Sequence, residues 1–192
     1  MTTEFVKKHA GKLVPATIML ALITAVMISR PAGEWLEPRL VSAQVAPATW
    51  TAVGASGTVD ESSIASFGFT NASAGYSAST TSVSPLEFRY NVTNTYDNAA
   101  NPNIPGWTRL ELGATAPATS LVTASLYRVA RCTGARKLIC QVRVTNSSAG
   151  VCRVCTFANT AVNFTTDLYY VDATVDRGTV SEVPQLHTLR IF

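Results

Sequence analysis

From Leu86 to Thr93 the chain alternates strictly, with Leu86, Phe88, Tyr90 and Val92 separated by Glu87, Arg89, Asn91 and Thr93. A period of two places the first set on one face of a β-strand and the second on the other. Weaker copies of the pattern span 107–112, 121–131, 137–145, 151–157, 168–175 and 186–192, with earlier ones at 48–53 and 64–70. Turn-forming runs separate them: Asn101-Pro102-Asn103-Ile104-Pro105-Gly106, Thr133-Gly134, Asn146–Gly150 and Asp176-Arg177-Gly178. Short strands at this spacing predict an antiparallel β-sandwich, Ig-like or jelly-roll-like. Residues 54–84, rich in Ser, Thr, Ala and Gly, read as a long, partly irregular connection.

The N-terminal pattern is different. Residues 13–29 are uncharged and mostly apolar, closed by Lys12 and Arg30. As a helix they rise about 25 Å, slightly less than a bilayer core, and the two flanking cations can snorkel to the headgroups. Pro15 falls in the first turn, where a missing N–H is tolerated. Trp35 lies where interfacial aromatics anchor a span. A cleaved signal peptide is the competing reading. Its best site, Val41-Ser42-Ala43, lies well beyond the apolar run, with Arg30, Glu34, Glu37 and Arg39 between. The expected organisation is therefore a basic cytoplasmic N-terminus (1–12), a single transmembrane helix (13–30), an interfacial linker broken by Pro31, Pro38 and Pro47 (31–47), and an extracytoplasmic β domain (48–192). The excess of Lys and Arg before the span favours the N-terminus inside.

Composition narrows the functional classes. Charged residues make up 14% of the chain and the net charge is +3, too little and too dispersed for a dedicated nucleic-acid binder. With 2 histidines, general acid–base chemistry has little material. His9 belongs to the basic N-terminus and His187 to a presumed C-terminal strand. Gly54-Ala55-Ser56-Gly57 lacks the spacing of a nucleophile elbow, and neither a phosphate-binding glycine loop nor a zinc-protease helix occurs. Asp167, Asp172 and Asp176 are spread over one strand and its exit. Asp97, Asn98, Asn101 and Asn103 carry the residue types of a Ca²⁺ loop, but turn chemistry explains them equally. Asn71, Asn91, Asn146 and Asn163 each open an Asn-x-Ser/Thr sequon. We expect no enzyme activity and no cofactor.

The cysteines, Cys132, Cys140, Cys152 and Cys155, fall in one short window. Only Cys152 and Cys155 have the spacing of a zinc knuckle, and Thr156 excludes a covalent haem motif. A redox pair would require a helix N-terminus where the pattern reads strand. Two structural disulfides are expected. If 137–145 and 151–157 form a hairpin, Cys140 meets Cys155 and leaves Cys132 for Cys152. Cys132–Cys140 with Cys152–Cys155 is the open alternative.

Charge is segregated. From Leu112 to Thr166 there are six cations (Arg128, Arg131, Arg136, Lys137, Arg143 and Arg153) and no acid, whereas Glu34 to Glu111 holds seven acids and three arginines. Gathered on one face, the six cations would form a docking surface for an acidic partner. Anchor, outer domain and cations together predict a non-catalytic, single-pass accessory or scaffold subunit of a larger membrane assembly, photosynthetic or respiratory complexes being examples. Its partners would be other membrane subunits and the bilayer. The alternative is a membrane-anchored module binding a ligand or carbohydrate, with Tyr76, Trp107 or the Tyr169-Tyr170 pair as an aromatic platform.

Overall fold

A computed structural model of the protein describes residues 48–94 and 103–192. They form nine antiparallel strands: β1 (Trp50–Val53), β2 (Thr58–Val59), β3 (Phe67–Thr70), β4 (Ser73–Tyr76), β5 (Leu86–Val92), β6 (Arg109–Ala130), β7 (Arg136–Thr156), β8 (Asp167–Asp176) and β9 (Gln185–Ile191). The predicted segment 13–30, with Lys12, Arg30 and Trp35, lies outside the described residues. Among the described residues, no helix is long and apolar enough to cross a membrane.

The strands make two layers that share β6 and β7. One layer runs β2-β5-β8-β6-β7, using 121–130 of β6 and 136–145 of β7. The other uses 109–116 of β6 and 147–156 of β7, with β9 alongside β6, β1 and β4 alongside β9, and β3 beyond β4. Leu86, Phe88, Val171, Val175, Val122 and Leu126 point inward from the first layer. They join Leu110, Leu112, Leu186, Leu189 and Ile191 of the second in one apolar core.

Alternation dictates β5, whose inward residues are buried and outward ones exposed over its full length. Between the layers, Trp107 is fully buried, meets Phe164 edge-on and donates its indole N–H to the Ala48 carbonyl. Gly54 sits so close to the Leu186 carbonyl that a Cβ would collide with it, and its own carbonyl accepts the Tyr90 hydroxyl. Burial without a compensating charge pushes the Tyr90 pKa up.

Two expectations are corrected here. Segments 137–145 and 151–157 are not a hairpin: they are one strand, β7, bent at Asn146, where φ is 48°. The turn signal at 146–150 is real, but it bends the chain from one layer into the next. Likewise the strands expected at 107–112 and 121–131 are the two ends of the single strand β6 (Arg109–Ala130), whose pairing shifts register between Ala116 and Leu121 and whose Ala118 has φ 43°. Pro117 is accommodated at this break because a ladder hydrogen bond is not required there. Within 54–84, the expected irregular connection also contains β2 and β4, too short to show a period.

Candidate ligand-binding face

The outward face of the β2-β5-β8-β6-β7 layer carries polar and aromatic side chains from four adjacent strands. Its registers align them in rows. Glu87, Thr174, Thr123 and Arg143 form one; Arg89, Asp172, Ser125 and Gln141 form the next. Asn91, Tyr170, Tyr127 and Leu138 follow, then Leu168, Val129 and Arg136.

The aromatic row is a four-membered stack. Tyr127 and Tyr170, opposite each other across β6 and β8, lie nearly parallel at 19° with centroids 5.3 Å apart. The Arg89 guanidinium covers Tyr170 at 4.9 Å, and that of Arg136 covers Tyr127 at 5.6 Å. Each contact is of the cation–π type, modest when exposed. Together they line up four long side chains across four strands. The Tyr170 hydroxyl, with the Tyr127 side chain beside it, favours the charged form of Arg136 and raises its pKa.

A second chain of contacts crosses the row beneath. Arg143 donates through Nε to Gln141 Oε1 at 3.0 Å, and Gln141 donates through Nε2 to the Ser125 hydroxyl at 2.9 Å. Across β6, Asp172 receives Arg89 Nε at 3.3 Å and Nη2 at 3.4 Å. Beyond Arg89 the face descends into a hollow of about 420 Å³ lined by Thr58, Asp60, Glu61, Glu87, Arg89 and Asp172. The Ser62 hydroxyl and backbone N–H both donate to Asp60 and hold its carboxyl below the ordinary carboxylate pKa.

The aromatics expected to form a platform divide differently. Tyr76, Trp107 and Tyr169 are buried and serve the core. Tyr169 points inward because neighbours along a strand face opposite ways, which leaves Tyr170 on the outer face. Its partner, Tyr127, was not singled out from the sequence. Its identity depends on a cross-strand register that connects residues far apart in the chain.

The six cations of 112–166 do not share a surface. Arg136 and Arg143 belong to the face just described. Lys137, paired with Arg128, has the opposite parity. Arg131 lies at the β6–β7 tip and donates to the Phe164 carbonyl. Arg153 is on the half of β7 that belongs to the other layer.

Cys140 and Cys155 are disulfide-bonded, whereas Cys132 and Cys152 are exposed free thiols. The second expected bridge is therefore corrected. Cys152 and Cys155 are an odd number of residues apart on one strand, so their side chains leave opposite faces. Cys155 points into the molecule opposite Leu110, and Cys152 points away opposite Gly113. Cys132 lies in the turn at the distant tip of the hairpin. Cys140 and Cys155 meet across the layers, Cα to Cα 6.1 Å, because β7 folds back at Asn146.

His187 is the extra residue of a β-bulge, where Gly113 pairs with Thr188 and Ala114 with Leu186. Its Nδ1 lies 2.7 Å from the Ser73 hydroxyl and its Nε2 2.7 Å from that of Thr115. Burial lowers its pKa. Positions 97–101 of the suggested Ca²⁺ loop lie outside the described residues. Among those described, no three acidic, His or Cys side chains converge on a metal-sized site.

No protein-family model and no curated protein sequence matches the chain. Among solved structures, the chain is similar to TmCBM61 in complex with beta-1,4-galactotriose, at 9% identity and TM-score 0.39, over 75% of this chain and 87% of that one. It is also similar to the xylan-binding module CBM15, at 12% identity and TM-score 0.38, over 76% and 95% respectively. A third similar structure is a CBM4, at 9% identity and TM-score 0.27, over 78% and 86%. Likenesses this distant say nothing of what this chain binds.

Proposed function

We propose that this chain is a non-catalytic carbohydrate-binding module with a jelly-roll-like β-sandwich, held outside the cytoplasm by an anchor at 13–30. The observation that carries the reading is the Arg89–Tyr170–Tyr127–Arg136 stack on an outward sheet face, continued by Asp172, Asn91 and Gln141, with the buried Ser125 hydroxyl holding Gln141 from beneath. Sugars present adjacent hydroxyls, each both donor and acceptor, around patches of C–H. Guanidinium, carboxylate, carboxamide and phenol groups engage such hydroxyls in pairs, while exposed aliphatic side chains pack against the C–H patches. Leu138 and Leu168, 45% and 55% exposed at the ends of the two aromatic-side rows, offer apolar contact of that kind. Because the stack and the Arg143–Gln141–Ser125 chain are already ordered, less side-chain entropy is lost on binding. The hollow beside Arg89 would seat a branch or the end of the glycan.

Retention of the full chain, in detergent, by a panel of insoluble and soluble polysaccharides tests this. Binding to at least one is expected, and Tyr127→Ala with Tyr170→Ala should weaken it about thirtyfold or more, the effect of losing a binding hot spot of ~2 kcal/mol. Thermal melting of the double variant checks that it still folds. Failure to bind any member, or equal binding by a folded double variant, contradicts the reading.

A further inference from the structure

The charges on the binding face are sorted by strand. Asp60, Glu61 and Glu87 lie on the β2–β5 side around the hollow, and Asp172, in the middle, is held by Arg89. The opposite side, along β7, carries Arg136 and Arg143. That side gains no acid from its own hairpin, because 112–166 contains none. Among the described residues, neither Arg136 nor Arg143 is ion-paired.

Both arginines are nevertheless held in place: Arg136 by the Tyr127 ring and the Tyr170 hydroxyl, Arg143 by Gln141 through a single N–H. Each keeps further N–H groups for a ligand. At about 3.3 Å per strand residue their Cα atoms stand roughly 20 Å apart along β7, and both side chains lean inward, onto Tyr127 and Gln141, so that the guanidinium groups bracket a short run of sugar residues. Two oriented guanidinium groups without carboxylate partners match planar carboxylates, which they can bind in bidentate fashion. Gln141 and the tyrosine hydroxyls between them suit neutral sugar hydroxyls.

We infer that the glycan taken by this face is acidic: a uronate-containing polysaccharide lying along β7, with carboxylates read by Arg136 and Arg143. This rests on the carbohydrate-binding reading above and adds a charge to the ligand.

The test compares polygalacturonate with the same polymer methyl-esterified, which keeps the backbone and removes the charge. Titrated into the full chain, the acid form should bind about tenfold or more tighter than the ester, as expected when charge-assisted hydrogen bonds replace neutral ones. Arg136→Gln with Arg143→Gln should bring the two affinities together by weakening the acid form far more than the ester, whose binding falls only by what the stack loses with Arg136. Added salt should narrow the gap in the unmodified chain. Equal affinity for acid and ester overturns the acidic assignment while leaving the carbohydrate reading standing. Competition by dextran sulfate as strong as by polygalacturonate overturns it too, because bulk charge would then be the whole signal. Absence of binding to both, and to every neutral polysaccharide, removes the inference together with the reading it rests on.

Discussion

Glu182 closes the loop after β8 by accepting from the Thr119 backbone N–H and hydroxyl, the Ser120 hydroxyl and the Gly178 N–H. These bonds, the Thr119 N–H first, lower its pKa from 4.5 to about 2. The folded state therefore holds this carboxylate ionised more strongly than the unfolded chain. Its stabilisation is complete above about 4.5 and disappears as pH falls toward about 2. Glu182→Gln should lower the melting temperature at neutral pH, with the gap to the unmodified chain narrowing over that acid window. A pH series of thermal melts checks this, and a gap constant with pH would show that the charge is irrelevant. Arg177 performs the converse task nearby. It is buried over the Tyr76 ring at 4.0 Å, and its guanidinium donates to the carbonyls of Thr80, Ser82 and Val180. Thiol chemistry is equally residue-specific: alkylation of the denatured, non-reduced chain should modify Cys132 and Cys152 and spare Cys140 and Cys155.

Strands β6 and β7 show how an element can be read correctly in pieces and wrongly in connection. Each half alternates or carries apolar runs, so each was legible as a strand. Their continuity was not. Gly113–Ser120 has small residues and Pro117 where a period would show, and Asn146–Gly150 has the residue types of a reversal. What distinguishes a bend from a hairpin is whether β6 stays beside β7 on both sides of it, a long-range fact. Asn146 in the left-handed region is the local cause, and Asn tolerates that conformation better than other non-glycine residues. Asn146→Gly should preserve stability, whereas Asn146→Val should cost about 1–2 kcal/mol in denaturant melts. The Cys140–Cys155 bridge pins the halves that the bend brings together. With its ends 15 positions apart in the sequence, its removal by paired Ser substitution should cost about 3 kcal/mol. A loss near zero would mean that the bend holds without it. The favoured Cys140–Cys155 pairing was thus legible, but the geometry that achieves it was not.

At the scale of the molecule, β7 lies at the margin of both layers, pairing among the described residues with β6 alone. Lys137, Arg143 and Arg153 along it, together with the bend, discourage another strand from adding there. That gives the scattered cations of 112–166 a role that one docking patch would not explain. The candidate binding face belongs to the opposite order of information from the core. Leu86, Phe88 and Val175 announced themselves by period, whereas the stack of Arg89, Tyr170, Tyr127 and Arg136 draws one side chain from each of four strands. Arg89 and Tyr170 were visible as outward or paired residues, and Arg136 as a cation, but the row they form exists only after the registers are set. Chemical-shift mapping of the full chain against galacturonate and xylose oligomers tests the central claim most directly. The account predicts that the amides that move cluster at Arg89, Tyr127, Gln141, Tyr170 and Asp172 on β5, β6, β7 and β8. Shifts gathered instead around Thr51, Val154 and Thr188 on the other layer, or an unchanged spectrum with both ligands, would contradict it.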